Sequence, residues 1–295
     1  MRFRFYRNWQ KYVGLVLVHD LYVPDEMTYI GNKNWNYSMQ LSTYNGAGKH
    51  QIYAFVVPPA VYELDVFLCG RGGNGAGYKG TYGAEFAAGG GGGYTKTFKK
   101  NTLAPYSWTR DGGAIAVIPG ETLYFGLDIG SAASGKGGSR VGRIDDVNEG
   151  YYKDIGTCVA LSGGNAGASN SGSNGGNGGS GGGACKAATT NLGGSNGANG
   201  SSATLGTGGA GQGHTTRPFA EDGSWATGLN LPLQMNVPFG AGGSVGSIAG
   251  YIAQYGGGGA VDAIAGYGGG GGTVSNNPNT QKLPALGCVI IRWMV

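Results

Sequence analysis

Residues 52–73 decide the fold, and they read IYAFVVPPAVYELDVFLCGRGG. Residues 52–57 form an apolar run that two prolines stop, and residues 62–69 form a second run in which Glu63 and Asp65 alternate with apolar side chains. Short apolar runs bounded by proline and glycine are typical of β-strands. This stretch therefore predicts two strands joined by a proline turn and followed directly by a glycine-rich segment.

Other strand patterns lie on both sides of this stretch. Residues 114–118 and 121–129 predict two strands around a Pro119-Gly120 turn, and residues 288–295 predict a closing strand. Residues 27–30 and 35–44 are strand-like as well, with Asn45-Gly46 as a turn signal. Ordinary strands are thus expected to bracket a glycine-rich interior.

Glycine supplies 65 of the 295 residues, roughly three times its ordinary share. So much glycine excludes a mostly helical protein, because glycine loses the most backbone entropy on folding. Collagen is excluded by the 10 prolines and by the lack of a glycine at every third position. The 18 tyrosines, 9 phenylalanines and 5 tryptophans exceed what a solvated linker carries. We expect an all-β protein.

The glycines divide the chain into two parts. Residues 1–60 hold only four of them, which predicts an aromatic-rich attachment segment over residues 1–51 and a glycine-rich domain over residues 52–295. The cations of the first eleven residues are compatible with a nucleic-acid arm or part of a signal peptide, but Gly14 interrupts the apolar stretch 13–18, which ends without a cleavage site, and we favour a docking strand or arm. The candidate docking residues are cations and an aromatic near position 1: Arg2, Arg4, Arg7 and Trp9. A net charge of +4 is small for this length, and we expect no nucleic-acid partner.

The glycine runs admit two interpretations. Glycine-rich sequence is commonly a flexible linker. Alternatively, runs in a polyproline-II-like conformation pack side by side, since glycine lets backbones approach without a Cβ clash. We favour packed rods, because the runs are numerous and embedded between apolar strands. The runs recur at irregular intervals: residues 89–93, 175–176, 178–179, 181–183, 256–259 and 268–272.

The order of these features resembles the glycine-rich domain of bacteriophage tail-fibre and adhesin proteins. The residues that carry the resemblance lie in residues 52–295: Pro58-Pro59, the strand and glycines of 61–73, the run 89–93 with Tyr94-Thr95-Lys96, Ile118-Pro119-Gly120-Glu121-Thr122-Leu123, Gly126, and Gly287 with the closing strand. The resemblance implies a small β framework or sandwich that encloses a bundle of polyglycine-II helices. The chain differs from plain fibre-tip adhesins in having an aromatic N-terminal segment.

The resemblance implies a virion protein that is assembled in the host cytoplasm and exposed outside the cell. Its expected partners are a bacterial surface protein or glycan, bound through loops between the glycine runs, and other virion proteins. It would be either a homotrimer or a single cap on a fibre. The alternative is a non-adhesive structural protein of the tail or capsid. The candidate receptor-binding residues lie in the inserts: Tyr78, Tyr82, Phe86, Tyr151, Tyr152, His214, Phe219 and Trp225.

No motif points to catalysis. The three histidines are far apart, and the glycine loop that ends at Lys136 lacks the following hydroxyl that a phosphate loop requires. Asp145, Asp146 and Glu149 form an acidic cluster, which we interpret as an ion-pair loop with the nearby arginines rather than a cation site. The four cysteines are too sparse for a disulfide scaffold and are expected as free, mostly buried thiols. We expect no enzyme, no cofactor, no metal and no membrane span.

Overall fold

The computed structural model of the chain is all β, and its described residues contain no helix. The described residues are 12–18, 27–34, 36–37, 49–74, 76–79, 85–88, 90–100, 112–128, 138–146, 151–161, 184–185, 202–203, 205–206, 245–246, 273–274, 277–281 and 287–294. They form these strands, in chain order: β1 (Tyr12–Val18), β2 (Met27–Asn34), β3 (Asn36–Tyr37), β4 (Lys49–Val56), β5 (Glu63–Cys69), β6 (Ala76–Lys79), β7 (Glu85–Ala88), β8 (Thr95–Phe98), β9 (Ile115–Ala116), β10 (Thr122–Asp128), β11 (Gly138–Asp146), β12 (Tyr151–Leu161), β13 (Ala184–Cys185), β14 (Ser202–Ala203), β15 (Leu205–Gly206), β16 (Val245–Gly246), β17 (Thr273–Val274), β18 (Asn277–Gln281) and β19 (Cys288–Met294).

The first sheet has the strand order β1–β19–β5–β8, and β9 also pairs with β5. All of these pairs are antiparallel. The strands predicted before and after the glycine-rich interior, β5 and β19, are neighbours, with Cys69 opposite Cys288. The prediction that ordinary strands bracket the interior is confirmed. The interior leaves the first sheet and returns to it at the same place.

The second sheet has the order β2–β4–β10–β11–β12–β3. Its pairs are antiparallel except that the short β3 joins β12 in parallel. The predicted strands 27–30, 52–57 and 121–129 correspond to β2, β4 and β10. Because β1 and β2 belong to the two sheets, the segment 1–51 contributes a strand to each of them. Its docking role stays a prediction.

Three small ladders lie within the glycine-rich interior. β6 and β7 form an antiparallel hairpin, and β15 pairs with β7 in parallel. β13 pairs with β14, and β16, β17 and β18 form the third ladder. β18 lies beside β6, and β13 lies beside β7. These short strands therefore gather around the β6–β7 hairpin.

The hydrophobic core lies between the two sheets. Alternate residues of a strand point to opposite faces, and the even-numbered residues Leu64, Val66 and Leu68 of β5 belong to one buried cluster with residues of the second sheet. The rings of Phe55 in β4 and Trp293 in β19 lie 5.4 Å apart, which shows direct contact between the sheets. The two sheets therefore pack face to face as a sandwich.

The other face of the first sheet is also buried. Phe67 and Ile290 have no exposed surface, and Asp65 and Arg292 are buried beside them. The Arg292 Nε donates to Asp65 Oδ2 at 2.9 Å, and the backbone N–H of Lys100 donates to Asp65 Oδ1 at 2.8 Å. The charge on this buried face is thus paired and hydrogen-bonded, as buried charges must be.

The sandwich has two unlike ends. At the proline end, residues 57–62 and 117–121 connect β4 to β5 and β9 to β10. At the glycine end, β5 runs into residues 70–73, residues 90–94 run into β8, and Gly287 precedes β19. A bundle of polyglycine-II helices is not seen among the described residues, so that part of the predicted fold stays a prediction.

Candidate functional site

Two glycine segments lie side by side at the glycine end, and we call them the neck (residues 70–73 and 90–94). The Gly70 N–H donates to the Tyr94 carbonyl at 2.8 Å, and the Gly73 N–H donates to the Gly91 carbonyl at 2.7 Å. These bonds are three residues apart on each segment, whereas bonds of a regular antiparallel ladder recur every second residue. A spacing of three matches a helix with three residues per turn.

The neck requires glycine because the two backbones touch. A Cβ atom built on Gly90 would lie less than 3.0 Å from the Gly73 carbonyl, and one built on Gly93 would lie equally close to the Gly70 carbonyl. Real Cβ atoms essentially never show such distances. These two positions are again three residues apart, so the same periodicity governs the hydrogen bonds and the close approaches.

Gly287 brings the returning chain to the base of the neck. A Cβ atom on Gly287 would lie less than 3.0 Å from the Cys69 carbonyl and the Ser139 Oγ. Ser139, at the start of β11, donates its hydroxyl to the Cys69 carbonyl at 2.5 Å. Both sheets thus meet at the point where the glycine-rich interior leaves and returns.

Two buried thiols lie at this end. Neither Cys69 nor Cys288 forms a disulfide, as predicted. Burial raises the pKa of the Cys288 thiol, and a hydrogen bond to Cys69 adds to the increase. Because the thiolate is the reactive form of cysteine, neither packing nor electrostatics prepares this thiol for nucleophilic attack.

The proline end is built from two matching turns. The Val61 N–H donates to the Pro58 carbonyl at 3.3 Å, and the third residue of that turn, Ala60, has φ = 63°. The Glu121 N–H donates to the Ile118 carbonyl at 3.0 Å, and Gly120 has φ = 83°. Proline at the second position and positive φ at the third are the features of type II turns.

Glu121 locks the second turn. Its Oε1 accepts the Ile118 N–H at 2.8 Å, and its Oε2 accepts the Arg143 Nε–H at 2.8 Å. Arg143 also donates to the Ala116 carbonyl at 3.0 Å. The hydrogen bond from Arg143 lowers the pKa of Glu121, and the same bond raises the pKa of Arg143. The Pro119-Gly120-Glu121-Thr122 motif is therefore a structural clamp at the end of the sandwich.

Apolar side chains are exposed around these turns. Val56, Tyr62 and Ile118 are 59%, 66% and 69% exposed. Backbone hydrogen bonds join the connections that carry them: the Val57 N–H donates to the Glu121 carbonyl and the Val117 N–H donates to the Tyr62 carbonyl, both at 2.9 Å. We call these three exposed side chains the proline-end patch.

The structure separates the predicted receptor-binding residues. Tyr78 and Phe86 are opposite each other in the β6–β7 hairpin, beyond the neck. Tyr151 and Tyr152 begin β12 and pair with β3 and with the end of β11, on the side of the proline end. The remaining receptor-binding and docking candidates lie outside the described residues: Arg2, Arg4, Arg7, Trp9, Tyr82, His214, Phe219 and Trp225.

The expected ion pairs of the acidic cluster 145–149 stay a prediction, because residues 147–149 lie outside the described residues. Residues 138–146 form β11, because Gly138–Asp146 pairs along β12. Arg140 donates to Asp154 at 2.7 Å and Arg143 donates to Glu121, so both arginines pair with acids outside the cluster 145–149. Among the described residues there is no group of three histidine, cysteine or acidic side chains that could hold a metal ion.

Two features of the proline end were not predicted from the sequence. The proline-end patch was missed because exposed valine, tyrosine and isoleucine look like strand residues in a linear pattern. The role of Arg143 was missed because its partner, Glu121, lies in another strand connection. The turn signal at Pro119-Gly120 was the available clue, because it places Glu121 at the last position of the turn.

No helix long and apolar enough to cross a membrane occurs in the part of the chain that the structure describes. A family described as a glycine-rich domain matches residues 47–294, and the chain belongs to this family. No curated protein and no solved structure matches the chain.

Proposed function

We propose that the chain is a phage adhesin, a virion protein that recognises a bacterial surface protein or glycan through loops carried on packed glycine segments. The observation that carries the proposal is one continuous register. Val66 is opposite Phe98 in the first sheet, Gly70 bonds to Tyr94 in the neck, and the same pairing continues into the β6–β7 hairpin. The described segments on the two sides, residues 66–74 with 90–98 and residues 76–79 with 85–88, thus keep one pairing register from the first sheet through the neck.

The neck is proposed as a pair of polyglycine-II segments. Its hydrogen bonds and its close backbone approaches share a spacing of three residues, which supports three residues per turn. We propose the same conformation for the other glycine runs. Segments bonded laterally in this way are stiff, because every backbone contact fixes two chains at once.

The β6–β7 hairpin is proposed as the main recognition element. Tyr78 is opposite Phe86, and residues directly opposite each other share one face of a hairpin. Tyr82 is the midpoint of the connection 80–84 between the two strands. Tyrosine and phenylalanine give rigid contact area at little entropic cost, which suits receptor binding.

The longest insert is proposed to join this element. It begins after β15, which pairs with β7, and it ends at β16, whose ladder includes β18 beside β6. The insert therefore starts beside the hairpin and ends in a ladder whose strands β17 and β18 contact the hairpin. This placement supports a shared recognition surface for the hairpin and the insert residues His214, Phe219 and Trp225.

The test is binding of the purified chain to cells of the bacterial host. Tyr82→Ala is expected to weaken binding about tenfold or more, as truncation of a central aromatic anchor does. Trp225→Ala tests the insert in the same assay. Tyr29→Ala is the matched control, because Tyr29 is an exposed tyrosine of β2, within the second sheet.

Unchanged adsorption for both Tyr82→Ala and Trp225→Ala would contradict the recognition surface. If the chain were then found on the particle in hundreds of copies, the alternative of a structural virion protein would replace the adhesin. A few copies at a tail tip, together with lost binding in the variants, would support the proposal.

A further inference from the structure

Two cysteines from the two ends of the glycine-rich interior are direct neighbours in the first sheet. Cys69 is the last residue of β5, Cys288 is the first residue of β19, and the two are register partners. Opposite residues of an antiparallel pair have Cα atoms about 4.5–5.5 Å apart and side chains on the same face. Disulfides join residues whose Cα atoms are about 4.4–6.8 Å apart. The backbone therefore already has the separation that a disulfide needs.

The two thiols are in contact as well. The Cys288 thiol hydrogen-bonds to Cys69, and the Cys69 Sγ donates to the Gly70 carbonyl at 3.6 Å. Gly287 helps to hold Cys288 beside Cys69, because its backbone packs against the Cys69 carbonyl too closely for a Cβ atom to fit. A bond between the two sulfur atoms would therefore replace a contact that exists already.

The surroundings of the pair determine how fast such a bond forms. Both cysteines are fully buried, and their described neighbours on this face are uncharged: Phe67 and Ile290 along the strands, and Thr95 opposite Cys69 in β8. Burial raises the pKa of the Cys288 thiol, and only a thiolate attacks a disulfide. Oxidation is therefore slow and requires the ends of β5 and β19 to open locally, which costs less than unfolding the sandwich. The same burial protects the finished bond from reductants.

We propose that Cys69 and Cys288 form an intramolecular disulfide when the folded chain meets a small-molecule disulfide such as oxidised glutathione. The thiolate of one cysteine attacks a sulfur of the small disulfide, which releases one small thiolate and leaves a mixed disulfide. The thiolate of the other cysteine attacks the protein sulfur of that mixed disulfide and releases the second small thiolate. The two protons of the cysteine thiols go to the two leaving thiolates. The cysteines thus lose two electrons, and the small disulfide gains them.

This disulfide acts as a staple at the base of the neck. It closes a loop that contains residues 70–287, the whole of the chain between β5 and β19. A cross-link over a long loop removes much of the conformational freedom of the unfolded chain. The staple therefore keeps the two ends of the glycine-rich interior together without adding a noncovalent contact to the folded state. The inference is independent of the proposed function, because it rests only on two strands of the chain itself.

The first experiment counts thiols. The purified, folded chain is incubated with oxidised glutathione at mildly alkaline pH, denatured in iodoacetamide without reductant, and weighed by mass spectrometry. Two of the four cysteines should escape alkylation, and peptide mapping should find Cys69 linked to Cys288. Four alkylated cysteines, a lasting glutathione adduct on Cys69 or Cys288, or a link to Cys158 or Cys185 would overturn the proposal.

Matched variants separate this pair from the other two cysteines. Cys158→Ser with Cys185→Ser keeps the pair and should form the disulfide at the same rate as the unmodified chain. Cys288→Ser removes one member, and Cys69 should then be alkylated after the same incubation. A disulfide that is lost when Cys158 and Cys185 are replaced in a folded chain would overturn the assignment to Cys69 and Cys288.

The second experiment measures what the bond does. Urea denaturation should give a higher midpoint for the oxidised chain than for the reduced chain. At the midpoint of the reduced chain, the equilibrium constant for unfolding should be roughly a hundredfold smaller when the bond is present. Equal midpoints for a chain shown to carry the Cys69–Cys288 bond would overturn its role as a staple. Because neither experiment uses host cells, a failure here is distinct from a failure of the proposed adhesin.

Discussion

The two ends of the sandwich are held by different kinds of contact. At the proline end, side chains fix the backbone: Glu121 accepts from the Ile118 N–H and from Arg143. At the glycine end, backbones contact each other directly, and Gly90 and Gly93 leave no room for a Cβ atom. One end depends on which side chains are present, and the other depends on their absence.

This difference predicts how each end tolerates substitution. A side-chain clamp loses one interaction when one residue changes, and the surrounding turn can relax. A backbone contact gives no such freedom, because a new Cβ atom must displace a carbonyl that is itself hydrogen-bonded. We therefore expect substitutions in the neck to lower stability more than substitutions at the proline turns. A substitution in the strands that link the two ends serves as the reference for the largest loss.

The largest effect is expected for Arg292→Met in β19. The substitution leaves the buried Asp65 carboxylate without its ion-pair partner, and breaking one side of a buried pair costs about 3–5 kcal/mol. Urea denaturation would measure the loss in the free energy of unfolding. The double variant Asp65→Leu with Arg292→Met should recover part of it, because no charge is left buried. A double variant as unstable as the single one would contradict this account.

The next effect is expected for Gly93→Ala in the neck. The new Cβ atom would lie less than 3.0 Å from the Gly70 carbonyl, and overpacking of this kind costs about 1–3 kcal/mol. Gly113→Ala is the matched control, since a Cβ atom there meets nothing within 4 Å. Denaturation curves should separate the two variants clearly. Equal stability of Gly93→Ala and Gly113→Ala would show that the neck backbone moves to accommodate a Cβ atom at little cost. That result would contradict the proposed difference between the two ends.

Glu121→Gln tests the side-chain clamp and should cost about 1–2 kcal/mol at pH 7, since it weakens charge-assisted hydrogen bonds. The pKa of folded Glu121 lies below its ordinary value of 4.5. The clamp therefore contributes fully above that value and is lost as the pH falls through the folded pKa.

The pH dependence of this clamp gives a second readout. Between pH 7 and pH 3, the free energy of unfolding should fall by more for the unmodified chain than for Glu121→Gln. Glu63→Gln is the control, because the Glu63–Lys100 pair lies in solvent and should matter less. An identical pH response of all three proteins would contradict the clamp.

The sequence predicted the strands better than it predicted their partners. The apolar runs of 52–57, 62–69 and 288–295 were readable because strand patterns are local. The pairing of β5 with β19 could not be predicted from the sequence, since more than 200 residues separate the two strands. Arg143 lies close to Asp145 and Asp146 along the chain, but ion pairs depend on distance in the folded structure. The pleat of β11 instead brings it to Glu121.

The candidate site was predictable only in part. Glycine runs indicated close backbone approach, and the neck shows it at Gly90 and Gly93. The opposition of Tyr78 and Phe86 depends on a register that begins in β5 and β8. The proline-end patch depends on two turns that come together only in the folded sandwich. Neither the register of Tyr78 with Phe86 nor the proline-end patch can be predicted from a short stretch of sequence.

The smallest effect is expected at the two proline-end turns, where it should have opposite signs. Ala60 has φ = 63°, a conformation that a residue with a Cβ atom adopts at a cost of about 1 kcal/mol. Ala60→Gly should therefore raise the free energy of unfolding by about 0.5 kcal/mol, since part of the gain is offset by the greater entropy of unfolded glycine. Gly120→Ala places a Cβ atom at φ = 83° and should lower stability by about 1 kcal/mol. Urea denaturation of the two single variants would measure how the free energy of unfolding changes when one methyl group is removed from one turn or added to the other. A destabilised Ala60→Gly would mean that the Ala60 side chain makes a contact that outweighs its backbone strain.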